Sequence, residues 1–175
     1  MWGIESHENK LAFPCDQFIN FFDDIYYRGI TICAKPENIF RWLCQMRIAP
    51  YSYDWIDNLG RKSPSKLTLG ADKLKTGQKV MIIFELIDFV QNQYLTIRTK
   101  KKQVKSTTFG SAVISYVIIQ KNNETCRLLV KLVVNYPKGL YGKLLRFILP
   151  LGDLIMMRCQ LLNFKKLSEQ METDK

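Results

Sequence analysis

Three large aromatic side chains lie within five residues in the segment Tyr51-Ser-Tyr-Asp-Trp-Ile-Asp-Asn-Leu-Gly60. Because tyrosine and tryptophan combine a wide apolar ring with one polar atom, they suit the mouth of a pocket that accepts an apolar body and orients a polar end. The segment therefore predicts that Tyr51, Tyr53 and Trp55 contact a ligand. The alternative, of equal weight, is that these rings only close the open end of a sheet.

Two carboxylates in the same segment are the best placed for acid/base chemistry. Asp54 and Asp57 are three residues apart, which puts them on one side of a short helix. General acid/base catalysis would need one of them in an apolar environment that raises its pKa. A capping role for Asp54 and solvent exposure of Asp57 explain both carboxylates without any catalytic function. Asp54 and Tyr53 are therefore weak catalytic candidates, and no catalytic residue is assigned.

Other catalytic and metal-binding arrangements are not indicated by the sequence. The single histidine, His7, lies in a polar N-terminal stretch, which argues against Ser-His-Asp and Cys-His machinery. The five cysteines are far apart and form no Cys-x-x-Cys pair, so neither a disulfide framework nor a zinc site is predicted. With no nucleotide-binding loop either, we expect no metal and no cofactor, and whether a reaction is catalysed stays open.

The chain is basic, with 26 Lys and Arg against 16 Asp and Glu and a formal net charge of +10. Such a charge favours anionic partners in general. The densest basic run, residues 98–105, has no interleaved aromatic rings, so it predicts a solvated loop and argues against nucleic acid as a partner. A membrane surface or an acidic protein stays open as its target, and no oligomeric state is indicated.

Two features predict a cytoplasmic location. The N-terminus carries charged residues where a signal peptide would need an apolar segment. The most apolar stretch, residues 144–157, is interrupted by Arg146, Pro150, Gly152 and Asp153, so no membrane span is expected.

The first half of the chain predicts one strand followed by two helices. A β-branched cluster indicates a strand over Tyr27–Cys33. Pro36 then begins an amphipathic helix that Pro50 ends. With Asp54 as N-cap and Gly60 as a stop, a second and very short helix follows.

The second half predicts a run of antiparallel strands and a long closing helix. Strand patterns cover residues 79–84, 85–90, 93–99, 109–120 and 126–136, and the last two flank a hairpin turn. The closing helix covers residues 140–170, with a kink or break at Pro150. The order of elements is that of an α+β domain.

The last strand and the closing helix predict how the core is built. Alternation over residues 126–136 makes one strand face apolar and the other mixed, so we expect the sheet to be covered on one side only. Helical spacing gathers an apolar stripe, with Arg158 near its middle, from Leu144, Phe147, Ile148, Leu151, Leu154, Ile155, Leu161 and Leu162. The Arg158 guanidinium must then pair with a carboxylate such as Asp153 or Glu85, reach the helix edge, or meet a ligand anion.

The segment Ile30-Thr-Ile-Cys-Ala-Lys-Pro-Glu-Asn-Ile-Phe-Arg-Trp-Leu43 resembles the opening of the START-like SRPBCC superfamily, which includes polyketide cyclase/dehydrase-like proteins. The segments 51–61 and 152–161 are similar to blocks of one branch of that superfamily, and the resemblance runs from about Cys15 to Leu167. It implies a helix-grip fold, in which a curved antiparallel sheet of six to seven strands wraps around the C-terminal helix. The cavity implied by this fold holds lipids, sterols, polyketides or similar molecules, but no reaction is implied.

We therefore expect a lead-in over residues 1–25 that packs on the domain, a ligand-binding domain over 26–168 and a flexible tail over 169–175. The leading hypothesis is binding or carriage of a small, largely apolar molecule, with contacts from Trp42, Tyr51, Tyr53, Trp55, Tyr116 and Arg158. Two alternatives stay open. One is a cyclase- or dehydratase-type enzyme acting on such a molecule, and the other is a basic interaction module for an acidic partner or a membrane surface.

Overall fold

The structure of the protein is a computed structural model that describes residues 1–57, 59–100 and 110–173. Its centre is one antiparallel sheet of six strands: β1 (Asp24–Ile32), β2 (Lys79–Val80), β3 (Phe84–Val90), β4 (Tyr94–Thr99), β5 (Ser111–Gln120) and β6 (Cys126–Asn135). The strand order is β1-β6-β5-β4-β3-β2, so the first strand returns to lie beside the last. This arrangement confirms the predicted α+β class and strand number.

Three α-helices of the described ranges accompany the sheet: α1 (Pro36–Cys44), α2 (Asp54–Asp57) and α3 (Leu140–Thr173). Pro36 occupies the first turn of α1, where a missing backbone N–H costs nothing. The helix α3 continues through Pro150, so the break considered at this residue does not occur. It also takes in residues 169–173 of the expected tail. No helix in the described ranges is long and apolar enough to cross a membrane.

The main core lies between α1, α3 and one face of the sheet, which we call the inner face. In β5 and β6 the even-numbered residues point to this face, including Ile114, Tyr116, Leu128 and Val130. Period-two alternation explains why these residues share a side. The largest side chains buried there are Trp42, Tyr51, Tyr116 and Phe164.

The opposite, outer face of the sheet is covered as well, contrary to the expectation of a sheet covered on one side only. Short 3-10 helices over Glu8–Lys10 and Pro14–Phe18 lie in the N-terminal segment. Phe13 and Cys15 of this segment pack with Leu129 and Val133 of β6. Nine of the ten residues of β6 are consequently buried.

Two basic residues of β6 hold the N-terminal segment on the outer face through ion pairs. Arg127 of β6 binds Glu8 at 2.7 Å, and Lys131 binds Asp16 at 2.5 Å. Both basic side chains are buried beneath the segment. The mixed alternation of β6 was interpreted as a solvated face, but a long basic side chain can be buried when a carboxylate from a distant part of the chain pairs with it.

The helix α3 presents to solvent most of the apolar stripe that was expected to face the core. Leu144, Phe147, Ile148, Leu151, Ile155 and Leu162 are exposed, and Leu161 is the stripe's fully buried member. The face packed on the domain instead includes Gly142, Asp153, Gln160 and Ser168. The prediction was wrong because it ranked the helix faces by hydrophobicity, whereas the polar residues of α3 have partners on the sheet and its small residues allow close approach.

Candidate functional site

Polar side chains form a row between the inner face of the sheet and the first two-thirds of α3. Alternation along β1 places Tyr26 and Arg28 on the inner face, together with Ile30 and Ile32. The residues that meet across this interface are Tyr26, Arg28, Tyr116, Tyr136, Asp153 and Gln160, which we call the inner polar row. It is the candidate site because polar groups buried in an apolar core are costly to maintain.

Arg28 is the buried cation of the inner polar row, with 2% of its surface exposed. Its Nη2 donates to Asp153 Oδ2 at 3.0 Å and its Nη1 donates to the carbonyl of Tyr27 at 3.0 Å. The guanidinium also lies over the ring of Tyr26, 5.5 Å from its centroid. The third guanidinium nitrogen, Nε, has no hydrogen-bond partner among the described residues.

Asp153 is the counter-ion of Arg28 and projects from α3. Burial raises the pKa of Asp153 to about 6, and Arg28 acts in the opposite direction by favouring the ionised carboxyl. The charge of this pair therefore changes close to neutral pH. Next along the sheet edge, the hydroxyls of Tyr26 and Tyr136 lie 3.0 Å apart.

Tyr116 and Gln160 form the innermost part of the row. The Tyr116 hydroxyl donates to Gln160 Oε1 at 2.8 Å, and Gln160 Nε2 donates to the carbonyl of Pro50 at 2.5 Å. Burial, with a smaller contribution from the charge of Asp153, raises the pKa of Tyr116. Tyr116 is thus a neutral hydrogen-bond donor that α3 and the loop after α1 hold in place.

Tyr51 follows Pro50 and has a left-handed backbone conformation, with φ of 59°. This conformation is strained for a tyrosine and persists only where neighbouring contacts impose it. The contacts are a hydrogen bond from Asn163 to the Tyr51 carbonyl at 2.8 Å and one from the Tyr51 hydroxyl to the Pro64 carbonyl at 3.0 Å. Burial raises the pKa of the Tyr51 hydroxyl.

Trp42 completes an aromatic cluster in the same core. Its ring meets that of Tyr51 edge-on at 5.8 Å, and Tyr51 in turn lies 5.6 Å from Phe164. The Trp42 indole N–H is buried without a hydrogen-bond partner in the described part of the chain. Of the residues expected to contact a ligand, Trp42, Tyr51 and Tyr116 therefore lie in one buried region beside Gln160.

The other expected contact residues lie at the surface. Tyr53 and Trp55 are 37% and 75% exposed. Arg158 is exposed on α3, with its guanidinium 5.6 Å from the ring centroid of Trp2. This position agrees with one of the alternatives considered for Arg158, a place at the helix edge. Asp153, which was considered as a partner for Arg158, is bound by Arg28 instead.

Asp54, the weak catalytic candidate, is bound to the following loop. Its carboxylate accepts hydrogen bonds from the backbone N–H of Ser63 at 2.7 Å and from the Ser63 hydroxyl at 2.5 Å. Both oxygens of the carboxylate are thus engaged in closing the loop around α2. The side chain of Asp57 lies outside the described residues.

Two of the pockets formed by the described residues open at the surface, and neither of these two lies between the sheet and α3. The first, of about 450 Å³, is lined by residues of the last turns of α3, from Leu162 to Thr173. The second, of about 250 Å³, lies between Arg41, Gln45 and residues 67–72. In the region where the cavity was expected, Met46 contacts the amide of Gln160 and Met157 contacts the hydroxyl of Tyr116. An internal cavity therefore stays a prediction.

The basic run 98–105 is only partly described. Arg98 pairs with Glu85 across β4 and β3 at 2.8 Å, and the backbone N–H of Lys100 bonds to Ile83. Residues 101–105 lie outside the described ranges.

One group of three residues with metal-ligand chemistry lies within the described ranges. It consists of Glu5, His7 and Glu8 in the N-terminal segment. The carboxylate of Glu8 already accepts two hydrogen bonds from Arg127, at 2.8 and 2.7 Å, so we assign no metal to this group.

Arg28 was not among the predicted site residues, although its position in the sequence indicates a buried charge. In Tyr26-Tyr-Arg-Gly-Ile-Thr-Ile32 the residues at even positions are apolar or aromatic except for Arg28. A charged residue on the apolar face of an edge strand indicates a buried ion pair or a ligand contact. Arg158 was chosen instead because its helix stripe was assigned to the core.

No protein-family model and no curated protein matches the chain, so the fold is compared with solved structures. A START superfamily protein from Mycobacterium smegmatis aligns with 84% of this chain and 98% of its own length, at a TM-score of 0.50 and 12% identity. A protein from Mesorhizobium loti aligns with 84% and 98% at a TM-score of 0.54 and 12% identity. The di-domain ARO/CYC protein BexL aligns with 83% of this chain and 50% of its own length, at a TM-score of 0.51 and 11% identity.

These similarities agree with the order of elements found here, a six-stranded antiparallel sheet closed by one long C-terminal helix. They also confirm the fold that the motifs after Ile30 and Tyr51 imply. The chain therefore has a helix-grip fold similar to that of these START-like structures.

Proposed function

We propose that the domain binds a small, largely apolar molecule, such as a lipid or a polyketide, between the inner face of the sheet and α3. The fold supports this proposal in general terms, because its neighbours include a START superfamily protein and an ARO/CYC protein. Fold alone does not choose a ligand, so the argument for this chain rests on its own buried polar groups.

The observation that carries the proposal is the Nε of the buried Arg28 side chain, which has no hydrogen-bond partner among the residues that the structure describes. A buried donor without a partner costs about 1–3 kcal/mol, and more when the group is charged. A ligand with a carbonyl, carboxylate or phosphate oxygen at its polar end would recover this energy by accepting a hydrogen bond from Nε. The Trp42 N–H, which is also buried and has no partner within the described ranges, is a second donor of the same kind.

The apolar body of the ligand would occupy the region around Met46 and Met157. Methionine side chains are flexible and polarizable, so they re-pack around a guest more easily than branched side chains do. Tyr116 and Gln160 border this region and would limit how far the guest reaches. Binding in this position requires the two methionines to change rotamers.

Native mass spectrometry of the protein purified from its own host tests the proposal. We expect a bound molecule of constant mass in the wild type, loss of that molecule in Arg28→Met, and its retention in the matched variant Arg158→Met. Thermal melting of both variants checks that the fold is intact. A wild type without any adduct, or an adduct that Arg28→Met retains, contradicts the proposal.

A further inference from the structure

The first half of α3 carries a continuous apolar face that no described residue covers. The face, which we call the outer apolar face, consists of Leu140, Leu144, Phe147, Ile148, Leu151 and Ile155. Their exposed fractions are 85, 56, 86, 55, 64 and 49%. The residues recur every three or four positions, which aligns them along one side of the helix. Soluble monomers rarely expose a contiguous apolar surface of this length, so it indicates an interaction site.

The outer apolar face is long enough to lie along a surface. From Leu140 to Ile155 the helix rises roughly 23 Å at about 1.5 Å per residue. The opposite side of the same segment is anchored to the domain by Leu145, which is 7% exposed, and by the ion pair of Asp153 with Arg28. The face is therefore presented outward on an element fixed to the sheet.

The charged residues of segment 138–162, which carries the outer apolar face, are positive except for Asp153. Lys138, Lys143 and Arg158 are exposed at its ends and flanks. Asp153 is the only carboxylate between residues 138 and 162, and it is bound inward to Arg28. An apolar helix face with cationic flanks on a chain of net charge +10 matches the chemistry of an anionic bilayer surface.

We propose that α3 docks the protein on anionic lipid bilayers, with the outer apolar face inserted at the level of the headgroups and the flanking cations against lipid phosphates. The apolar residues supply the insertion, and the basic residues supply the preference for anionic lipid. A second copy of the chain is a poorer occupant, because it would bring another net charge of +10 to the same surface. The surface is distinct from the inner polar row, so this proposal does not depend on ligand binding.

Vesicle sedimentation tests the proposal with the whole protein and two lipid compositions. The first is phosphatidylcholine with roughly 30% phosphatidylserine, and the second is phosphatidylcholine alone. We expect the wild type to bind the anionic vesicles, with at least about a tenfold lower partition coefficient on neutral ones. Raising the salt concentration should weaken binding to the anionic vesicles.

Two double variants separate the outer apolar face from exposed apolar residues in general. Phe147→Ser with Leu151→Ser should lower the partition coefficient at least about tenfold, because two inserted side chains are lost. The matched control is Leu69→Ser with Ile82→Ser, at positions that are 103% and 45% exposed and lie outside α3. This control should bind anionic vesicles as the wild type does. Thermal melting checks that both variants are folded.

Three results would overturn the proposal. The first is failure of the wild type to bind anionic vesicles, and the second is an equal loss of binding in the control variant. The third is a dimer in sedimentation velocity that Phe147→Ser with Leu151→Ser dissociates, since the outer apolar face would then be covered by a second copy. A monomeric wild type that loses vesicle binding only in the α3 variant supports docking on lipid.

Discussion

Replacing Asp153 by asparagine tests whether Arg28 and Asp153 are a buried pair whose charge changes near neutral pH. The two side chains are 3% and 26% exposed and their closest N–O distance is 3.0 Å. The substitution Asp153→Asn keeps the size of the side chain but removes its charge, and a guanidinium cannot neutralise itself by losing a proton. The variant therefore keeps a buried cation without a counter-ion.

The magnitude follows from burial and from the direction of the pKa shift. Breaking a buried ion pair from one side costs about 3–5 kcal/mol, and the partial exposure of Asp153 favours the lower end of that range. The folded-state pKa of Asp153 is about 6, above its ordinary value of 3.8. Protonation of Asp153 therefore favours folding. This stabilisation is fully present below the unfolded value of 3.8 and is lost as the pH rises through about 6.

The cost of Asp153→Asn should consequently depend on pH. Near pH 8 the wild-type pair is ionised, and we expect the substitution to lower the free energy of unfolding by about 3 kcal/mol. Near pH 5 the folded wild type gains about 1 kcal/mol from the proton bound at Asp153, which asparagine cannot bind, so the expected cost rises to about 4 kcal/mol. Urea denaturation at the two pH values measures both numbers.

Arg98→Met is the matched control, because Arg98 pairs with Glu85 at a similar distance but is 38% exposed. We expect it to cost less than about 1 kcal/mol at either pH. The reasoning is refuted if Asp153→Asn costs the same at both pH values, or no more than Arg98→Met does near pH 8. Either result would mean that the carboxyl and the guanidinium are solvated rather than buried together.

Two further predictions concern buried groups in the same core. Tyr116→Phe should lower the free energy of unfolding by about 1–2 kcal/mol, because Gln160 Oε1 loses its 2.8 Å hydrogen bond in an apolar environment. Urea denaturation measures this change. An unchanged midpoint would show that Gln160 finds another donor. Cys33 is exposed, whereas burial raises the pKa of Cys44 to about 12, so a thiol reagent near pH 8 should modify Cys33 first and Cys44 only after unfolding. Peptide mapping after a short exposure measures the order, and early labelling of Cys44 would contradict its burial.

Local sequence patterns determined much of the fold. Alternation identified the long strands β5 and β6, and Pro36 marked the start of α1. These features depend on residues close together in the chain, where periodicity and turn chemistry act directly. The motif after Ile30 then placed the elements in a known topology.

In the aromatic segment 51–60, local sequence patterns predicted the candidate site only in part. Tyr51 points into the core while Tyr53 and Trp55 lie at the surface. The separation arises where Tyr51 adopts a left-handed backbone held by Asn163, a residue more than one hundred positions away. Spacing in the sequence could not predict this contact, because it depends on how α3 is placed.

By itself, the sequence determined the order and type of the elements, since each is encoded by its own period of apolar residues. The tertiary structure decided which face of α3 is buried, because Asp153 and Gln160 have partners only once Arg28 and Tyr116 are brought opposite them. It also decided that the outer sheet face is covered, through Glu8 and Asp16 of the N-terminal segment. A polar group is stable in a core only when a matching group from elsewhere in the chain meets it, and such a match becomes visible only in the folded molecule.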